Sequence, residues 1–158
     1  MRSYIHSTET STVIESIHDI ITHCLTILKH DWNDNIAIVQ NFTRESTQLM
    51  GNEGRLHQAI LNILTNAILA LPNGGNIFIT TERLKRKVRL TFADDGPGIQ
   101  KDHHKTVFEP FFTTRDPGEG TGLGLAITYS IILEHGGDIK VGNRHGGGAE
   151  FVITLPIA

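Results

Sequence analysis

Apolar residues recur along this chain with two different periods. Val13, Ile14, Ile17, Ile20, Ile21, Cys24, Leu25 and Leu28 return at helical spacing, which predicts an amphipathic helix from Thr12 to about Leu28 with Ser11 as its cap. After the turn Asn33-Asp34-Asn35, the run from Ile36 to Phe42 reads as a strand, and Thr47 to Asn52 as a further short extended piece. A second helix is expected from about Glu53 to Leu71, stopping before Pro72 and the turn Asn73-Gly74-Gly75. It is apolar nearly all round, so it should be buried. Two strands follow, Ile77 to Arg83 and Val88 to Ala93, joined by the basic tip Lys85-Arg86-Lys87, whose simplest reading is a solvated turn. Leu125 to Leu133 have the length and spacing of a buried helix, closed by Gly136-Gly137, and Asp138 to Val141 and about Ala149 to Leu155 read as the last strands. Strands segregated from helices in this order predict an α+β fold, a two-layer sandwich with its helices on one face of the sheet.

Composition narrows the function classes. A chain of 158 residues is large enough for one substantial core, and a net charge of −3 gives no general attraction to nucleic acid or to an anionic membrane. Cys24 is the single cysteine, so no intrachain disulfide can form. No run approaches the length of a membrane span, and the first residues lack the apolar centre of a signal peptide. Residues 1–10 are polar and read as a flexible N-terminus or a cloning remnant, leaving 11–158 as one domain.

Three stretches carry candidate chemistry. Gly120, Gly122 and Gly124 alternate with Thr121 and Leu123 immediately before the third helix. A helix start offers unpaired N–H groups and the positive pole of the dipole, and glycine removes the Cβ that would block an anion. Asn62 and Asn66 stand one turn apart on the second helix, sharing a face with Ala59 and Ala70. A satisfied core amide is the plain reading of either; a magnesium ion shared with phosphates is the sharper one, since Mg2+ takes only one or two protein oxygens. Asp94-Asp95-Gly96-Pro97-Gly98-Ile99 follows directly on a strand. It is a tight turn by composition, and it also places a carboxylate where an exocyclic amine such as adenine N6 would find an acceptor. Gly146-Gly147-Gly148 before the last strand, taken alone, is structural.

In order and spacing these motifs resemble the catalytic and ATP-binding domain of sensor histidine kinases. Asn62-Ile-Leu-Thr-Asn66-Ala is similar to the family's N box, Asp94-x-Gly96-x-Gly98 to its first glycine box, Phe108-Glu-Pro-Phe111-Phe112 to its F box and Gly120-Thr-Gly-Leu-Gly124-Leu to its second glycine box. The resemblance spans about Val13 to Pro156 and implies a Bergerat-type sandwich with a mixed, mostly antiparallel sheet and a flexible lid between about Gln100 and Gly120. It implies ATP and Mg2+ as cofactors, with Asn66 as the metal ligand, Asp94 on adenine N6 and Gly96, Gly98 and Ile99 beside the base. Thr113, Thr114, Gly120, Thr121, Gly122, Leu123 and Gly124 would meet the phosphates. Asn62 and Arg115 would stand nearest the chemistry, Arg115 in reach of the terminal phosphates. Leu69 departs from the family, many members of which carry a basic or polar side chain there.

Related ATPases of the superfamily carry a water-activating glutamate one turn before the magnesium asparagine, a position held here by Asn62. An amide cannot serve as a general base at neutral pH, which leaves transfer to a partner group. The phosphoacceptor is expected on a separate dimerisation domain of the same kinase, with a response regulator downstream. His18, followed by Asp19, lacks the family's proline five residues on, where His23 stands, and reads as an ordinary helix-surface residue. The implied location is cytoplasmic, the parent protein being free to be membrane-anchored. An anti-sigma-type serine kinase or partner-binding switch of the same fold is the competing reading, although such relatives commonly keep the glutamate and a less full aromatic box.

Overall fold

The computed structural model describes residues 11–32, 34–98, 108 and 124–157. Its elements in chain order are β1 (Thr12–Ile14), α1 (Ile17–Leu28), a short 3-10 turn (Lys29–Asp31), β2 (Ile36–Asn41), β3 (Leu49–Gly51), α2 (Glu53–Leu69), β4 (Gly75–Leu84), β5 (Lys87–Asp94), α3 (Gly124–Glu134), β6 (Asp138–Asn143) and β7 (Ala149–Pro156). Five strands form one sheet in the order β2-β4-β5-β7-β6, with β2 and β4 parallel and every other neighbour antiparallel. The α+β sandwich and its mixed sheet are as the sequence predicts.

Strict alternation sorts the sheet into two faces. Ile77, Ile79 and Thr81 of β4, Val88, Leu90 and Phe92 of β5 and Phe151, Ile153 and Leu155 of β7 are buried, whereas Phe78, Thr80, Arg89, Thr91, Val152 and Thr154 between them are not. The register sets these residues opposite one another as Val88 to Leu155, Leu90 to Ile153 and Phe92 to Phe151. A continuous apolar floor results, and α1, α2 and α3 cover it with Ile17, Ile21, Leu56, Ile60, Ile63, Leu64 and Ile131 among the fully buried side chains. Truncating any one of these to alanine costs about 2–5 kcal/mol. Among the described residues no helix is long and apolar enough to cross a membrane.

The first helix starts later than its periodicity predicts. Thr12–Ile14 is not helical but pairs antiparallel with Leu49–Gly51 in a separate two-stranded ribbon. Ser16, not Ser11, is the cap: its backbone is extended at φ −155° and its hydroxyl accepts from the His18 N–H. Thr47, itself buried, accepts the Ile17 N–H at 3.1 Å. Two hydroxyls therefore satisfy the orphan donors of α1, and the β-branched residues ahead of them are left for pairing.

Helix ends follow their local chemistry. Asn52 caps α2 by accepting the Arg55 N–H at 3.1 Å. Gly136, at φ +73°, closes α3 through Gly136 N–H to Leu133 carbonyl and Gly137 N–H to Ile132 carbonyl, the pair of bonds of a Schellman motif. At the hairpin between β4 and β5, Lys85, Arg86 and Lys87 are exposed, as a solvated turn requires.

His18 is not an ordinary surface residue. Its ring stacks on Phe42 with centroids 4.3 Å apart and planes inclined by 6°, and its Nε2 lies 2.7 Å from the buried Thr81 hydroxyl. Burial holds its pKa below the usual histidine range against the opposing pull of Asp19. The ring is a strut between α1 and the sheet.

The two serines give a test of where α1 begins. Ser16→Ala should lower unfolding stability by about 1 kcal/mol in denaturant titration. Ser11→Ala should stay within about 0.5 kcal/mol of the parent. The reverse order of effects would restore the earlier helix start.

Candidate functional site

Residues 88, 90, 92 and 94 of β5 occupy successive positions on the core-facing side, and the last of them is an aspartate. Asp94 stands opposite Ile77 and is 2% exposed, so pleating alone delivers a carboxylate to the end of an apolar row. One oxygen, Oδ1, accepts the Gly96 N–H at 2.9 Å and the Ala149 N–H at 3.5 Å. Desolvation holds the pKa of Asp94 above the ordinary aspartate range, and these two N–H groups oppose the shift. Asp95 faces the other way. Its carboxylate accepts from the backbone N–H and the side-chain amide of Asn76 at 2.8 and 2.9 Å, bonds that hold its pKa below the usual range.

Backbone approaches the turn so closely on both sides that side chains would not fit. A Cβ on Gly96 would lie 2.8 Å from the carbonyl oxygen of Ala70, just past α2, and 3.0 Å from Asp94 Oδ1. Gly98, at φ +82°, would meet Asn143 Oδ1 at 2.9 Å. Gly148, at φ +105°, lies against the Asp94 carbonyl itself, and a side chain there would overlap it. The turn after β5 is thus held between the end of α2 and the link from β6 to β7.

The same helix carries the other described candidates. Asn62 and Asn66 are both half-buried. Asn62 donates its amide to the Gly124 carbonyl at 3.1 Å, and the buried Thr128 hydroxyl donates to that same carbonyl at 2.9 Å and to Ala59 at 3.4 Å. In this geometry Asn62 ties the first residue of α3 to α2. Leu69, the departure from the family pattern, is 42% exposed. Phe108 packs its ring on Tyr129 of α3 and Phe151 of β7, with centroids 5.4 and 6.2 Å away.

Asp94, Gly96, Gly98, Asn62, Asn66 and Gly124 are therefore gathered along α2, its C-terminal end and the adjoining tip of β5. Ile99, Thr113, Thr114, Arg115, Gly120, Thr121, Gly122 and Leu123 lie outside the described residues, as does the stretch expected to form the lid apart from Phe108. Sequence reasoning missed Gly148, Ala149 and Thr128. The triple glycine was the available signal for the first two, but its link to Asp94 exists only through the pairing of β5 with β7.

Residues 51–158 match the family model of histidine kinase-, DNA gyrase B- and HSP90-like ATPases. Sensor histidine kinase ZraS of Escherichia coli K12 is 36% identical over 143 residues, which cover 89% of this chain but only 30% of that protein. The chain thus spans less than a third of that relative. Among solved structures, a nucleotide-free catalytic domain of histidine kinase ThkA superposes with a TM-score of 0.82 at 32% identity, covering 92% of this chain and 97% of that one. Full-length ShkA in complex with AMPPNP superposes with a TM-score of 0.80 at 29% identity, over 93% of this chain and 31% of that one.

Burial of Asp94 has a consequence for stability. A carboxyl whose pKa is raised by folding contributes stability that is fully present below its unfolded value, 3.8, and is lost as pH rises through the folded one. Asp94→Asn preserves an acceptor oxygen and removes the titration. Measured by chemical denaturation, the stability of the parent relative to Asp94→Asn should fall from about pH 4 towards neutrality. A difference that stayed flat across that window would contradict the burial of this carboxylate.

Proposed function

The chain belongs to the histidine kinase-, DNA gyrase B- and HSP90-like ATPase family, and from that premise we propose that it supplies the ATP half of a phosphoryl transfer to a histidine on a separate domain of the same kinase. The observation that carries the proposal is the buried Asp94 carboxylate, held by backbone N–H groups beside glycines that admit no side chain. Such an acceptor suits the N6 amine of adenine and opposes the O6 oxygen of guanine. Gly96 and Gly98 let the end of α2 and the link from β6 to β7 close on the turn that follows this carboxylate.

Asn66 offers one carboxamide oxygen, a donor set that suits a hard cation drawing its remaining ligands from phosphate and water. Mg2+ held there would neutralise charge on the phosphates. Asn62 is a positioning residue: by fixing Gly124 it holds the start of α3, where Gly120, Thr121, Gly122 and Leu123 lead into the helix, against the metal-bearing face of α2. Thr113, Thr114 and Arg115 serve the phosphates from the lid, Arg115 at the γ-phosphoryl group. The bond from the γ-phosphorus to the bridging oxygen breaks, a P–N bond to the acceptor imidazole forms, and ADP leaves. No carboxylate occupies position 62 to activate water, so positioning and shielding carry the reaction.

The response regulator acts downstream on the phosphohistidine. His18 is a poor acceptor, its ring stacked on Phe42 and hydrogen-bonded to Thr81. The domain works on the cytoplasmic side.

Labelled ATP tests the reading. Incubated alone, the chain should remain unlabelled; with the helical-hairpin fragment of its parent kinase, acid-labile label should appear on the hairpin. Asn66→Ala should abolish that label and the magnesium-dependent part of nucleotide binding measured by calorimetry. Label on a serine of a partner, or on this chain alone, would overturn the proposal.

A further inference from the structure

α1 and α2 pack side by side, and at their outer edge two imidazoles 34 residues apart in sequence meet. Nε2 of His57 lies 3.1 Å from Nδ1 of His23, the ring centroids are 4.9 Å apart and the planes are inclined by 63°. A hydrogen bond between neutral rings is one use of the pair. The same spacing is also what a single metal ion imposes on two imidazole ligands. With metal–nitrogen bonds of about 2.0–2.1 Å, nitrogens this far apart subtend an angle of about 100° at the metal, close to tetrahedral or square-based coordination.

We propose that His23 and His57 form a binding site for one divalent transition-metal ion, which clamps α1 to α2. Each ring comes from a different helix and the backbones beneath are fixed, since the neighbouring Cys24 is buried and its thiol donates to the His57 carbonyl. The ligands are therefore already placed before the ion arrives. Asp19 stands four residues before His23 and Glu53 four before His57, so each histidine has a carboxylate one turn away on its own helix face, which favours a cation. Among the described residues no group of three or more His, Cys, Asp or Glu is gathered, so water completes the coordination shell.

Two other histidines are engaged elsewhere. His18 is stacked and bonded to Thr81, and His135 accepts the Asn52 N–H at Nε2 while donating from Nδ1 to the Ile131 carbonyl. The site is separate from the face that holds Asn62 and Asn66, although it shares α2 with them.

Zn2+ is the probe. Calorimetry on the untagged chain without nucleotide should find one equivalent bound, and Tm should rise with Zn2+ because the ion binds the folded pair. His57→Gln and His23→Gln should each weaken binding by about a hundredfold, the loss expected when a two-point attachment becomes one-point, and the double variant should lose the site altogether. In long-range imidazole NMR spectra of the parent, the His23 and His57 nitrogens should shift first. Unchanged binding in both single variants would overturn the proposal, with the metal going elsewhere among the nine histidines. So would first shifts at other rings, or no binding.

Discussion

A carboxylate in an apolar row is the constraint on which the rest of this site depends. The pleat of β5 places Asp94 on the same face as Val88, Leu90 and Phe92, and nothing local can turn it outward without breaking that alternation. Leaving such a group buried without partners costs several kcal/mol. Two backbone N–H groups answer the need, one from the turn that follows and one from the first residue of β7. Gly148 must then be glycine, because the β7 strand can present the Ala149 N–H only by laying residue 148 against the Asp94 carbonyl at positive φ. The cost of Asp94 is thereby tied to the register of the sheet's centre.

α2 plays the matching part in the helical layer. One side of it fills the core with Leu56, Ile60, Ile63 and Leu64, while the polar stripe of Asn62 and Asn66 runs along its half-buried side. Its end packs on Gly96, and its middle holds the start of α3 through Asn62, with Ala59 receiving the Thr128 hydroxyl. One helix therefore sets the distance between the carboxylate at the tip of β5 and the first residue of α3. The buried carboxylate and the start of α3 are positioned by a single rigid element, the fixed geometry that the proposed phosphoryl transfer would use.

Local patterns made most of the fold legible. The apolar pattern of Val88 to Ala93 gave β5, with Asp94 at its end, and Gly136-Gly137 marked the end of α3. What failed was non-local. Val13 and Ile14 satisfy helical spacing and strand propensity alike, and only β3, more than thirty residues on, decides between them. His18 looked like a surface residue because Phe42 and Thr81, which pack and bond it, come from other elements. Gly148 read as part of a plain turn, and Ala149 as an ordinary strand start, for the same reason. In the candidate site, residue types and spacing singled out Asp94, Asn62 and Asn66 as candidates, but the use of Asn62 as a tie to Gly124 needed the packing of α2 on α3.

The central claim is that Asp94 reads the six-position amine of a purine. Calorimetric titration of the chain with ADP and with inosine diphosphate, which replaces that amine by a carbonyl oxygen, isolates this contact from the phosphates and the metal. ADP should bind at least about tenfold more tightly, the discrimination expected when a buried acceptor is left facing another acceptor. Equal affinity for the two would contradict the account.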